Sequence, residues 1–266
     1  MALPTPSDST TALVTGASSG IGVEIARLLA ARGHGVTLVA RRESRLRELA
    51  DELSGALGIR AEVIAADLTE QSGRDAISAR LEELGLTPTV LVNNAGFGGH
   101  GELVETDPGW DVAMVRLNVE AVTDLLRTYV PTMVERGEGA VINIASTAAF
   151  QPMPGNATYA ATKSFVLSQS EALAHEVKGA GVSVTAVCPG PVRTEFVEVA
   201  GVEDRAADAP DIVWTEADEV ARAAVDGVEA GKRVVIPGRF NQVGAYAARF
   251  TPRALLLPAV DRIWNR

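Results

Sequence analysis

Tyr159 and Lys163, in the run YAATK, are the pair of side chains most able to do acid–base chemistry. Four residues apart on a helix they share one face, where an ammonium can stabilise a phenolate. At roughly 5 Å and an effective dielectric near 20 the attraction is about 3 kcal/mol, on the order of two pKa units off tyrosine's ~10. A tyrosine tuned in that way exchanges protons near neutrality. The spacing alone recurs by chance, so the surroundings must carry the argument. Thirteen residues before Tyr159 stands Ser146, just after a β-branched run.

A second group of residues suits an anion. The run TGASSGIG places Gly16, Gly20 and Gly22 between a strand and a helix, spaced G-x-x-x-G-x-G. Glycines let a pyrophosphate approach the main chain, and free N–H groups at a helix start stabilise its charge. After the second strand, where an NAD-binding chain places an acid for the ribose 2′-hydroxyl, this chain has Arg41 and Arg42. A guanidinium suits a 2′-phosphate, so NADP(H) is favoured over NAD(H), although Glu43 follows directly. A solvated helix start is the competing reading of Arg42.

These residues need elements to hold them. Short apolar runs at 11–15, 36–40, 61–66, 89–93, 140–145, 182–187 and 233–237 alternate with helix-period segments such as 24–33, 45–53 and 221–231. Strands apolar on both faces belong to a parallel sheet, and right-handed crossovers make it doubly wound. The expectation is an α/β single-domain Rossmann fold, a doubly wound parallel sheet of about seven strands with helices on both faces. Residues 1–10 read as a mobile tail and 11–266 as one catalytic domain, with 194–214 as a substrate cap and 238–266 as a C-terminal extension. In such a sheet ligands bind beyond the carboxyl ends of the strands. There stand Asp67-Leu68, NNAG (93–96) and Ser146, each also readable as a turn or cap residue.

Composition removes other classes. The chain has 266 residues, 47% hydrophobic and 22% charged, which excludes disorder. Its formal charge of −10 disfavours a nucleic-acid partner, because that binding depends on Lys and Arg. Cys188 alone forms no intrachain disulfide, and His34, His100 and His175 are scattered, so no metal site is expected. The first ten residues lack the basic start and apolar stretch of a signal peptide, and no transmembrane run of about 18 apolar residues occurs. A cytoplasmic location fits these features. Cys188 and His100 read as a core residue and a surface residue.

Taken together, TGASSGIG, Asp67-Leu68, NNAG, the Asn of RLNVE, Ser146, YAATK and PGPVRT (189–194) follow one another as in the short-chain dehydrogenase/reductase family. The chain resembles its single-domain branch from Thr11 to about Pro237. That resemblance implies a catalytic set of Ser146, Tyr159 and Lys163, with Asn118 holding a water in a proton relay. It implies cofactor contacts from Gly16, Ser18, Ser19, Gly20, Ile21 and Gly22, with Asp67 and Leu68 at the adenine and Asn94, Ala95 and Gly96 framing the cleft. Pro189, Gly190, Val192 and Thr194 would meet the nicotinamide half. Lys163 would also orient the nicotinamide ribose, and Tyr159 would touch cofactor and substrate.

The implied reaction is hydride transfer between NADP(H) and a carbonyl or secondary alcohol, with Ser146 and Tyr159 at the substrate oxygen. Phe97, Phe150 and Met153 flank that centre and would line an apolar substrate pocket, core packing being the competing reading. A 3-oxoacyl-thioester reductase shares every motif, and a non-catalytic NADP(H) sensor is the reading from another class. The family implies a homodimer or homotetramer through helices near 110–135 and 156–178. The tail carries Tyr246, Phe250, Leu255 to Leu257, Val260 and Trp264 among Arg249, Arg253 and Arg262. It is expected over the cleft or against another subunit rather than on a membrane, given the net charge of −10.

Overall fold

The computed structural model describes residues 3–201 and 210–264, with the side chains of 263 and 264 outside the description. Seven parallel strands form one sheet in the order β3-β2-β1-β4-β5-β6-β7. They are β1 (Thr10–Thr15), β2 (Val36–Ala40), β3 (Ala61–Ala65), β4 (Thr87–Asn93), β5 (Gly139–Ile144), β6 (Val182–Val187) and β7 (Val234–Val235). The order reverses between β1 and β4, whose register runs from Thr10↔Thr87 to Val14↔Val92. That reversal opens the ligand crevice of a doubly wound sheet.

Alternation along each strand feeds two cores. Leu13, Leu91 and Val141 face α3 (Gln71–Glu83), α5 (Val122–Arg136) and α6 (Ala157–Glu176), which contribute Ile77, Leu125 and Val166. Ala12, Val14 and Ile142 face α1 (Gly20–Ala31), α2 (Glu43–Leu57) and α8 (Ala217–Glu229), through Ile25, Leu46 and Val225. Both faces are covered, so the strands read as continuous apolar runs.

Four further helices stand among the described residues: α4 (Pro108–Val115), the short α7 (Phe196–Val199), and the C-terminal pair α9 (Arg239–Phe250) and α10 (Arg253–Trp264). Between α4 and α5 the backbone widens into a π-helical turn over Arg116–Ala121. The strand edges move by at most two residues from the expected ones, and β7 is shortened most, keeping only Val234–Val235.

The segment expected as a mobile tail over 1–10 is described from Leu3 onward. Leu3 packs on the second core, Pro4 is buried and Thr10 already belongs to β1. The proposed cap at 194–214 falls partly on 202–209, which lie outside the described residues.

Candidate active site

The turn after β1 is held open for an anion by its neighbours. Asn94 donates from its side chain to the Thr15 and Gly16 carbonyls at 3.0 and 3.2 Å, and its backbone N–H donates to Thr15 Oγ1 at 3.0 Å. Gly16 has φ +66°, and a Cβ there would lie 2.6 Å from the Asn94 amide nitrogen. A Cβ on Gly20 would lie 2.9 Å from Thr194 Cγ2, and one on Gly22 2.5 Å from the Gly16 carbonyl oxygen. These three positions therefore have no room for a Cβ, and at the start of α1 Ser19 makes no side-chain capping hydrogen bond. The first N–H groups of this helix thus have no side-chain cap from Ser19, with the positive end of the helix dipole behind them.

Arg42, although exposed, reaches back to this turn. Its Nη2 donates to Ser18 Oγ at 3.0 Å and Ser19 Oγ at 2.9 Å, while Nη1 pairs with Glu195 at 2.8 Å. Arg45 pairs with the same carboxylate. Hydrogen bonds from Arg45 and Arg42 hold the Glu195 carboxyl down at about 2. Arg41 is exposed and its charge acts on Asp67. Burial tends to raise the Asp67 pKa, but bonds from Thr69 (2.9 and 2.8 Å) and the charge of Arg41 outweigh it, and the pKa is lowered. Leu68 is buried beside it.

Tyr159 and Lys163 share one face of α6, as their spacing requires. Lys163 is buried and donates from Nζ to the Ile144 carbonyl at 2.9 Å, 5.8 Å from the centre of the Tyr159 ring. The expected lowering of the tyrosine pKa is corrected here. Burial pushes Tyr159 up to about 12, with a hydrogen bond to Ser146 acting the other way. Desolvation likewise lowers Lys163 to about 8. Burial disfavours both charged forms, and the hydrogen bond that Lys163 makes in this buried place goes to the Ile144 carbonyl.

Ser146 caps the 3-10 turn Thr147–Phe150, its Oγ accepting from Ala148 N at 3.1 Å. Asn118 sits in the π-helical turn, a widening often found at functional positions. Its amide clamps Phe97: Oδ1 accepts from Phe97 N at 3.2 Å, and Nδ2 donates to Phe97 O at 2.9 Å and to Thr162 Oγ1 at 3.1 Å. Gly96 lies against this clamp, where a Cβ would stand 2.9 Å from Asn118 Oδ1 and 3.4 Å from Lys163 Nζ. Across the crevice Pro189 accepts from Thr147 N at 2.8 Å, Gly190 lies against Asn241, and Val192 bridges to Thr215.

Tyr159 lines a cavity of about 530 Å³ together with His100, Trp110, Met114 and the acids Glu105, Asp111 and Glu198. Phe97 supports the wall by meeting Trp110 edge-on at 4.8 Å, and Phe196 leans on the Tyr159 ring at 5.7 Å. Phe150 departs from the expected pocket. It is buried in the first core, as is Met153, which borders a separate hollow with Pro152 and Leu257. Cys188 is buried, and burial pushes its thiol up to about 12. Sequence reasoning missed Trp110, Arg45, Glu195 and Phe196, and it left His100 on the surface. Only the adjacency of Glu195 and Phe196 to Thr194 signalled any of these.

The family model for short chain dehydrogenases matches residues 10–204. The chain belongs to the short-chain dehydrogenase/reductase family. A short chain dehydrogenase of Pseudocercospora fijiensis is 39% identical over 189 residues, which are 70% of this chain and 60% of that one. Among solved structures, a short-chain dehydrogenase from Sphingobium yanoikuyae in complex with NADPH superposes with TM-score 0.79 at 36% identity, over 90% of this chain and 93% of that one. A 3-ketoacyl-(acyl-carrier-protein) reductase from Brucella melitensis complexed with NADH gives TM-score 0.76 at 30% identity, over 87% and 97%. Membership in the short-chain dehydrogenase/reductase family makes this chain an oxidoreductase.

Proposed function

We propose that the protein is an NADP(H)-dependent oxidoreductase acting between a carbonyl and a secondary alcohol of a small apolar molecule, with Tyr159 as general acid/base. The position of Tyr159 carries this reading: it lines the cavity beside Ser146, on the helix that buries Lys163. The bare turn at Gly16, Gly20 and Gly22 fits a pyrophosphate, held by the amides of Ser18, Ser19 and Ile21. Arg41 and Arg42 would meet a 2′-phosphate, Asp67 and Leu68 the adenine, and Asn94 to Gly96 the middle of the cofactor. Pro189, Gly190, Val192 and Thr194 would meet its nicotinamide half. Bound there, the cofactor supplies or accepts the hydride.

In the reducing direction negative charge builds on the carbonyl oxygen. Tyr159, held protonated by a pKa of about 12, donates its proton to that oxygen, which leaves as alcohol. Ser146 donates a hydrogen bond to the same oxygen as the charge develops. Lys163, fixed on the Ile144 carbonyl, holds the ribose side, and Asn118 holds the Phe97 segment that carries the cavity wall. Trp110 and Met114 favour an apolar substrate body. Likeness to a 3-ketoacyl reductase favours a second reading, 3-oxoacyl-thioester reduction. Glu105, Asp111 and Glu198 weigh against it, since they repel the phosphates of an acyl carrier.

The test follows NADPH and NADH oxidation with ring ketones, aliphatic ketones, aldehydes and 3-oxoacyl thioesters. Ring-ketone turnover with NADPH preferred by at least ~10-fold is expected. Equal rates with both cofactors would retire the 2′-phosphate assignment, and turnover confined to thioesters would shift the substrate to the second reading. Tight NADPH binding with no carbonyl turned over would remove the catalytic reading.

A further inference from the structure

Helix α9 buries small side chains and presents large apolar ones to solvent. Asn241, Ala245 and Ala248 are buried, whereas Phe240, Val243, Tyr246 and Phe250 are exposed, Phe250 by 79% and Val243 by 70%. At 3.6 residues per turn these four form a single stripe, roughly opposite the buried one. A helix that served only to seal the core would turn its aromatics inward. The apolar surface continues on α10, which buries Leu256 and Val260 and leaves Leu255 exposed.

Charge on the same surface differs from the rest of the molecule. Residues 239–262 carry Arg239, Arg249, Arg253 and Arg262 against the single acid Asp261, in a chain of net charge −10. Arg239 falls within the stripe and Arg249 at its margin, both exposed and without an ion pair among the described residues. Salt screens charges beyond about 8 Å at physiological ionic strength, so an approaching surface responds to the local sign rather than to the total.

We propose that the exposed face of α9 and α10 docks on the surface of an anionic lipid bilayer. Phe240, Val243, Tyr246 and Phe250 enter the boundary between headgroups and acyl chains, and the arginines meet lipid phosphates. The binding is peripheral, since no described helix is long and apolar enough to cross a membrane. A second copy suits the face less well. A two-fold contact sets a patch against itself, and here that would bring arginine toward arginine.

The test is cosedimentation of the full chain with vesicles of phosphatidylcholine alone or mixed with phosphatidylglycerol, at low and raised salt. Partition onto phosphatidylglycerol vesicles is expected, falling at least ~10-fold with phosphatidylcholine alone or in high salt. The double variant Phe240→Glu, Phe250→Glu should lose binding with an unchanged thermal midpoint. A second variant, Arg239→Gln with Arg249→Gln, leaves the apolar stripe intact and should weaken binding in the same direction. Wild type remaining in the supernatant with both vesicles overturns the proposal. Binding that neither variant weakens overturns it too, as does an oligomer that the Phe variant converts to monomer while wild type ignores lipid.

Discussion

Lys163 keeps an ammonium in a buried place, bonded to one carbonyl, and the desolvation lowers its pKa from 10.5 to about 8. Between those values the unfolded chain binds the extra proton, so stability rises with pH from about 8 to 10.5. Tyr159, raised from 10 to about 12, gives the opposite slope above pH 10, where the folded chain keeps the proton. Lys163→Met should therefore lack the rise: the thermal midpoint of wild type should gain on the variant between pH 8 and pH 10, and a constant difference would remove Lys163 as its source. At the crevice mouth, Arg42→Ala should weaken NADPH binding by ~10-fold or more with little effect on NADH, measured by fluorescence titration. Glu195→Gln should act with opposite sign, because the carboxylate holds Arg42 and Arg45 against any competing phosphate. These side chains show where sequence reading stops. Tyr159, Lys163 and Ser146 announce themselves by type and spacing, whereas the role of Glu195 depends on a salt bridge that spans more than 150 residues of chain.

Element positions rest on a buried polar chain. Asn93 Nδ2 donates to Asn143 Oδ1 at 2.8 Å, and Asn143 Nδ2 donates to Ser170 Oγ at 2.8 Å, which joins β4 and β5 to the helix of Tyr159. Asn143→Ala leaves Asn93 and Ser170 each short of a partner in a dry interior, so a loss of about 2–4 kcal/mol is expected in urea unfolding. A loss below about 0.5 kcal/mol would mean the chain does not hold α6. The strands were legible because apolar runs buried on both faces leave little choice of state. The π-helical turn was not, since it depends on Asn118 finding the Phe97 backbone. Phe150 was ambiguous for a related reason: pockets and cores share composition, and only packing assigns it to the core.

At the scale of the whole molecule, one sheet with two cores sets a crevice at the β1/β4 reversal, and the glycine turn, Asn94 and α6 all meet there. The order of motifs along the chain was enough to anticipate this, because right-handed crossovers fix which strand ends face the same way. The ends of the chain were less legible, being judged by composition instead of contact. Removal of residues 1–8 should lower stability by about 1–3 kcal/mol, since Leu3 and Pro4 lie against the body; an unchanged urea midpoint would support the mobile tail. The central claim is that Tyr159 moves the proton, and it is tested most directly by comparing wild type with Tyr159→Phe on the best ketone while NADPH affinity is measured on both. The expected result is a fall in kcat of ~1000-fold or more with affinity nearly unchanged. Comparable turnover by the two proteins would contradict it.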